Sequence, residues 1–225
     1  MSVQTVEYVA LKLKPGLNAS TGEGKAVLEE GAPVVASQKG CNAVYYGTRI
    51  ENPDIVHMIV DWENIEAHNA FIESSIYKPF LAKMAGILAS EPKPFHVTIP
   101  STHPISRPLS APVTEVLETY FEPTYDRSVF DSKFAQMIAV FGEVGGDTSL
   151  YAAGWGVEEH RHEALAAEGE KDGPAAYFSA LVGWDSVEHH VNFMQKDELA
   201  KVMPILAGEF KTAAAYHVSF KKYEP

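Results

Sequence analysis

The 225-residue chain has one cysteine, Cys41, so no internal disulfide can form and a disulfide-stapled secreted scaffold is excluded. Basic residues are scarce. The 18 Lys and Arg stand against 30 Asp and Glu, and the formal charge of −12 repels phosphate backbones and anionic lipid. Neither nucleic acid nor a membrane surface is an expected partner. No window approaches the roughly 18 uncharged apolar residues of a membrane-spanning helix. Glu7, Lys12 and Lys14 interrupt the one stretch that could resemble a signal peptide, so a cytoplasmic protein is the expectation. Cofactor motifs are missing as well. Gly22-Glu-Gly24-Lys25-Ala26 lacks the spacing and hydroxyl residue of a phosphate loop, and Gly142-Glu-Val-Gly145-Gly146 is not a dinucleotide fingerprint. The chain contains no Cys-x-x-Cys and no His-Glu-x-x-His. His160-Arg161-His162 sits in a highly charged stretch and reads as a solvated loop or lid, so no metal site is assigned.

What the sequence does contain is an internal repeat. Val60-Asp-Trp62-Glu-Asn-Ile-Glu66-Ala-His68-Asn-Ala-Phe71 matches Val182-Gly-Trp184-Asp-Ser-Val-Glu188-His-His190-Val-Asn-Phe193 at a constant offset of 122. Phe95-His96-Val97 matches Tyr216-His217-Val218 at 121, and Gly47 to Glu51 matches Gly154 to Glu158 at 107. The jump from 107 to 122 places a 15-residue insertion at 158–175 in the second half. Between the halves, prolines at 100, 104, 108 and 112 remove backbone donors and favour an extended, semi-rigid linker. The domain reading is therefore 1–99, a linker at 100–112, and 113–225.

Each half shows the order β-α-β-β-α-β. In the first, strands are expected at Val3–Leu13, Asn42–Glu51 and Ile55–Trp62, with a further strand around His96. Helices are expected over Gly24–Gln38 and from Asn64 to about Leu88, and the second half repeats the pattern with Ser186 as the helix cap. A four-stranded sheet with helices on one face must cover its other face. The fold class is thus α+β, with two tandem ferredoxin-like repeats packed sheet to sheet as an intramolecular dimeric α/β barrel. Alternation puts Val56, Met58, Val60 and Trp62 beneath the helices and His57 inside the barrel. His96 and His217, with Tyr46, Tyr151, Trp155 and Tyr177, are also expected to face the interior, and Gly47, Gly154 and Gly156 to let helices approach.

The unit Trp-x-Ser/Asn-x-Glu-x-His-x-x-Phe resembles the dimeric α/β-barrel superfamily, in particular antibiotic-biosynthesis-monooxygenase-like domains in the tandem form found in fungi. The resemblance spans nearly the whole chain outside the linker and the insertion. It implies a pocket between sheet and helices in each half, and a cofactor-independent monooxygenase that deprotonates a small hydrophobic substrate, phenolic or oxylipin-like, and lets the anion react with molecular oxygen. A cyclase or isomerase on the same base, a haem protein and a non-catalytic small-molecule binder are the alternatives. His68 or His57 would take the proton, and His96 and Tyr46 would hold the oxyanion. Trp62, Tyr151, Trp155, Tyr177, Trp184, His190 and His217 would contact substrate. Each also has a packing role as its alternative. Beyond the pseudo-dimer within one chain, a further homodimer is left open.

Overall fold

The computed structural model describes residues 2–201 and 203–224. Val3–Lys12 (β1), Gly22–Ala36 (α1), Cys41–Arg49 (β2), Ile55–Trp62 (β3), Ile65–Glu73 (α2), Tyr77–Ile87 (α3) and Phe95–Pro100 (β4) form the first half. The one-turn helix Ser106–Leu109 (α4) follows. The second half comprises Val113–Phe121 (β5), Arg127–Glu143 (α5), Tyr151–Gly156 (β6), His160–His162 (β7), Gly173–Trp184 (β8), Val187–Met194 (α6), Met203–Leu206 (α7) and Thr212–Lys222 (β9). Among the described residues no helix is long and apolar enough to cross a membrane.

The strands run β5-β9-β2-β3-β1-β4-β6-β8, and β8 pairs back onto β5, so the sheet closes into an eight-stranded barrel with every neighbour antiparallel. The two four-stranded units meet at the seams β2–β9 and β4–β6. Closure removes the four sheet edges that separate units would expose. Both faces of the central strands are covered, which is why β3 is buried almost without alternation. On its helix side Val56, Met58, Val60 and Trp62 pack with Leu28, Ala32 and Val35 of α1 and Phe71 of α2. The lumen holds Val6, Tyr8, Tyr45, Ile59, Val97, Ile99, Tyr177, Leu181, Tyr216 and Val218.

The second-strand and last-strand parities differ from the expectation. Phe95 and Val97, with Tyr216 and Val218, line the lumen, so His96 and His217 turn to the helix side. Tyr46, Tyr151 and Trp155 also lie on the helix side, packed in the cores beneath α1 and α5. Of the glycines opposite them, Gly47 and Gly154 serve the seams instead, and a Cβ on Gly156 would meet the His160 ring of the insertion. A Cβ on Gly47 would collide with the Ser219 carbonyl, and one on Gly154 with the Thr98 carbonyl, each on the neighbouring strand across a seam. Close strand crossing, rather than helix approach, is what those glycines allow.

Three further differences have local causes. The helix expected from Asn64 to Leu88 is broken: Ser74 N–H and Oγ both donate to the Phe71 carbonyl, and Pro79 stands in the first turn of α3, where its missing N–H costs nothing. The N-caps are as read, with Asn64 Oδ1 accepting from Ala67 N at 2.9 Å and Ser186 Oγ from His189 N at 3.0 Å. The proline-rich segment is not extended throughout. Its α4 turn buries Ile105 and Leu109 in the lumen cluster and stoppers that end of the barrel. At the opposite end, the insertion pairs β7 with the start of β8 and stacks His160 on Tyr177 (4.3 Å) and His162 against Tyr120 (4.3 Å). It therefore covers the barrel mouth and not a helix-side pocket.

Candidate active site

Trp62 ends β3 and Asn64 caps α2, so the chain turns sharply and His68, one turn into the helix, lies back over the indole with ring centroids 5.1 Å apart. Glu7 on β1 projects to the same side, and its Oε2 accepts from Trp62 Nε1 at 2.8 Å. His68 Nε2 faces that carboxyl oxygen at 3.6 Å, while His68 Nδ1 meets His96 Nε2 at 2.8 Å. His96 Nδ1 lies 2.5 Å from Glu158 Oε1, and the His96 backbone N–H donates to Oε2 at 2.7 Å. Glu158 comes from the other half, two residues beyond the end of β6, carried to β4 by the seam.

The hydrogen bonds assign the tautomers. Burial alone would raise the Glu158 pKa, but the two bonds from His96 outweigh it and hold the acid below the usual carboxylate range. It is an acceptor only, so His96 holds a proton on Nδ1; with that as its single ring proton, His96 presents a lone pair at Nε2. In that tautomer His68 donates from Nδ1, and its own lone pair lies at Nε2, turned towards Glu7 Oε2 at 3.6 Å. Burial, helped by His96, lowers the His68 pKa to about 4, so the ring is neutral near pH 7. The main cause is desolvation. Glu7 moves the other way, pushed up to about 6 by burial against the opposing Trp62 hydrogen bond.

Glu7 and His68 line a cavity of about 90 Å³ between sheet and helices. That is room for several waters or about one aromatic ring. Its walls are apolar, from Val9, Leu11, Val35, Met58, Val60, Phe71, Phe80 and Met84, with Tyr77 beside them and Glu91, Pro92 and Pro94 on the loop before β4. The arrangement offers one basic nitrogen, a way to move the accepted proton off it, and a mostly apolar space beside it.

The second half repeats this geometry. His190 Nδ1 meets His217 Nε2 at 2.7 Å, His217 Nδ1 lies 2.5 Å from Glu51 Oε1, and His190 Nε2 is 3.5 Å from Glu115 Oε2, which accepts from Trp184 Nε1 at 3.1 Å. Trp184 stacks on His190 at 4.6 Å. Glu51 belongs to the first half, so each relay ends on the other half's acid.

The structure thus brings together His68, His96 and Trp62 in one relay and His190, His217 and Trp184 in the other. It separates the rest. His57 is in the lumen, on the opposite face of the sheet from His68, stacked on Tyr216 at 4.7 Å, and burial together with Arg49 lowers its pKa to about 3. Tyr177 is also in the lumen, donating to Glu118 at 3.3 Å. Tyr46 shares the helix side with His68 but does not line the cavity. Tyr151 and Trp155 pack under α5, with Trp155 Nε1 donating to Asp131 at 2.7 Å. The four acids were missed by the motif reading. Their signal was the repeat itself, because Glu7 and Glu115 recur at an offset of 108 and Glu51 and Glu158 at 107.

No protein-family profile matches the chain, and no curated protein is significantly similar in sequence. Solved structures share the fold. An anthrone oxidase-like protein superposes with TM-score 0.62 at 14% identity, covering 99% of this chain and 94% of that one. A proposed monooxygenase from Fusobacterium nucleatum gives 0.60 at 10% identity over 99% and 95%. A proposed chlorite dismutase gives 0.58 at 10% identity over 97% and 95%. The α+β barrel fold is common to them. At these identities the likeness concerns the fold alone.

Proposed function

We propose that the chain is a cofactor-independent oxygenase acting on a small hydrophobic substrate with an acidic phenol or ring CH2, in the first-half cavity. The observation that carries this reading is the relay from Glu158 through His96 to His68, whose Nε2 lies beside Glu7 at the mostly apolar cavity that both residues line. His68 Nε2 removes the substrate proton. As it does so, its Nδ1 proton passes to His96 Nε2, and the positive charge comes to rest on the His96 ring against the Glu158 carboxylate. This circumvents the low basicity of His68 itself. Glu7 faces the new N–H. The substrate anion then gives electrons to O2; a CH2 becomes a carbonyl, one oxygen atom enters the product and the other leaves as water, so no external reductant is required. The fungal-type, secondary-metabolic setting of the resemblance belongs to this same proposal.

Oxygen consumption with one-ring phenols and one-ring ketones that carry an acidic CH2 tests it. His68→Asn and Glu158→Gln should each lower kcat/KM by about 10² or more, the scale of a lost general base. Glu158→Gln keeps one acceptor oxygen for the His96 ring and removes both the charge and the second acceptor, which holds the His96 backbone N–H. Exchange of substrate C–H for deuterium without oxygen uptake would replace the oxygenase by an isomerase or cyclase on the same base, and binding with neither would leave a carrier.

A further inference from the structure

The two relays agree to within 0.1 Å in their imidazole–imidazole and imidazole–acid distances, yet the helices above them differ. The inward residues of α1 and α5 align at an offset of 106: Gly24 with Phe130, Leu28 with Phe134, Gly31 with Met137, Ala32 with Ile138, and Val35 with Phe141. At every one of these positions the second helix carries the larger side chain. Val35 forms a wall of the first cavity. Its counterpart Phe141 instead places its ring 5.0 Å from Phe193 and 6.0 Å from Trp184, the equivalents of Phe71 and Trp62. Leu199, the equivalent of Tyr77, is buried in the same cluster with Met137 and Val140. One strand position runs the other way, Ala180 for Met58, and Met137 packs in the clusters on both sides of it.

We infer that the second relay is a complete proton-transfer site whose chamber is closed by its own helix, with Phe141 as the plug. The chain therefore works at one of two pseudo-equivalent sites. The small face of α1, Ala32 and Val35, decides which one, and sets the size of ligand admitted there. In the native chain the second relay's contribution is the bridge from Glu51 to His217 across the seam. Emptied of the Phe141 ring, the same half would accept the same chemical class, a small phenol beside the lone pair of His190 Nε2. The choice of phenol rests on the function proposed above; the existence of the closed chamber does not.

A reciprocal exchange tests this. The probe is 4-nitrophenol, whose yellow phenolate band reports proton transfer, with stoichiometry from calorimetry, and crystals under xenon report the chamber without any chemistry. The native chain should bind one equivalent, Phe141→Val two, and Val35→Phe none. The double exchange should bind one, lost on further change of Glu51→Gln but retained on Glu158→Gln. Xenon should enter the second half of Phe141→Val and not of the native chain. If folded Phe141→Val, judged by an unchanged circular dichroism spectrum, takes neither a second phenol nor xenon, the inference is overturned. If the native chain binds no phenol while xenon enters the second half of Phe141→Val, the proposed substrate class fails and the closed chamber stands.

Discussion

Replacing His68 by Asn should flatten the acid side of the stability profile, and the size of the effect follows from two opposed buried groups. An unfolded imidazole titrates at 6.5, whereas folded His68 titrates at about 4. Its contribution is fully present above pH 6.5 and is lost as the pH falls towards 4, because the unfolded state takes up a proton that the folded state refuses. Between pH 7 and pH 5 linkage makes this loss about 2 kcal/mol. Glu7 has the opposite sign. Its folded pKa of about 6 lies above the ordinary 4.5, so its stabilisation is present below 4.5 and lost as the pH rises through 6. Over the same interval it returns about 1 kcal/mol on acidification. Urea unfolding followed by circular dichroism at the two pH values measures each slope. His68→Asn should lose about 2 kcal/mol less than the native chain between pH 7 and pH 5, and Glu7→Gln about 1 kcal/mol more. The Asn amide can still donate to His96, so the comparison isolates titration from packing. Native and His68→Asn differences that agree within about 0.5 kcal/mol would refute the assignment of a buried neutral imidazole.

Two further perturbations address the barrel. Gly154→Ala sets a methyl group against the Thr98 carbonyl at the seam and should destabilise by about 1–3 kcal/mol, read as a lower urea midpoint, whereas an unchanged midpoint would mean the seam has slack. Replacing residues 159–172 by a short turn that keeps Glu158 should lower Tm by several degrees, since it strips His160 and His162 from Tyr177 and Tyr120; an unaltered Tm would make the insertion a mere surface loop.

The repeat, its β-α-β-β-α-β order and the need to cover two apolar sheet faces were legible in the chain, because hydrophobic period and capping residues act locally. Trp62, His68, Trp184 and His190 were legible for the same reason: strand end, cap and first helical turn lie within seven residues and fix their mutual placement. The parity of β4 and β9 was not. Phe95 and His96 are both compatible with either face, and the choice was made by the seams, which put Phe95 against Tyr177 and brought Glu158 to His96. The break at Ser74 likewise depended on a side chain returning to its own helix, which composition does not show. Most consequential are the acids. Glu51 and Glu158 are ordinary polar strand ends in sequence, 166 and 62 residues from the histidines they hold. Only barrel closure, which carries each across to the other half, turns two histidine pairs into relays, and only the side-chain volumes on α1 and α5 leave one of them open.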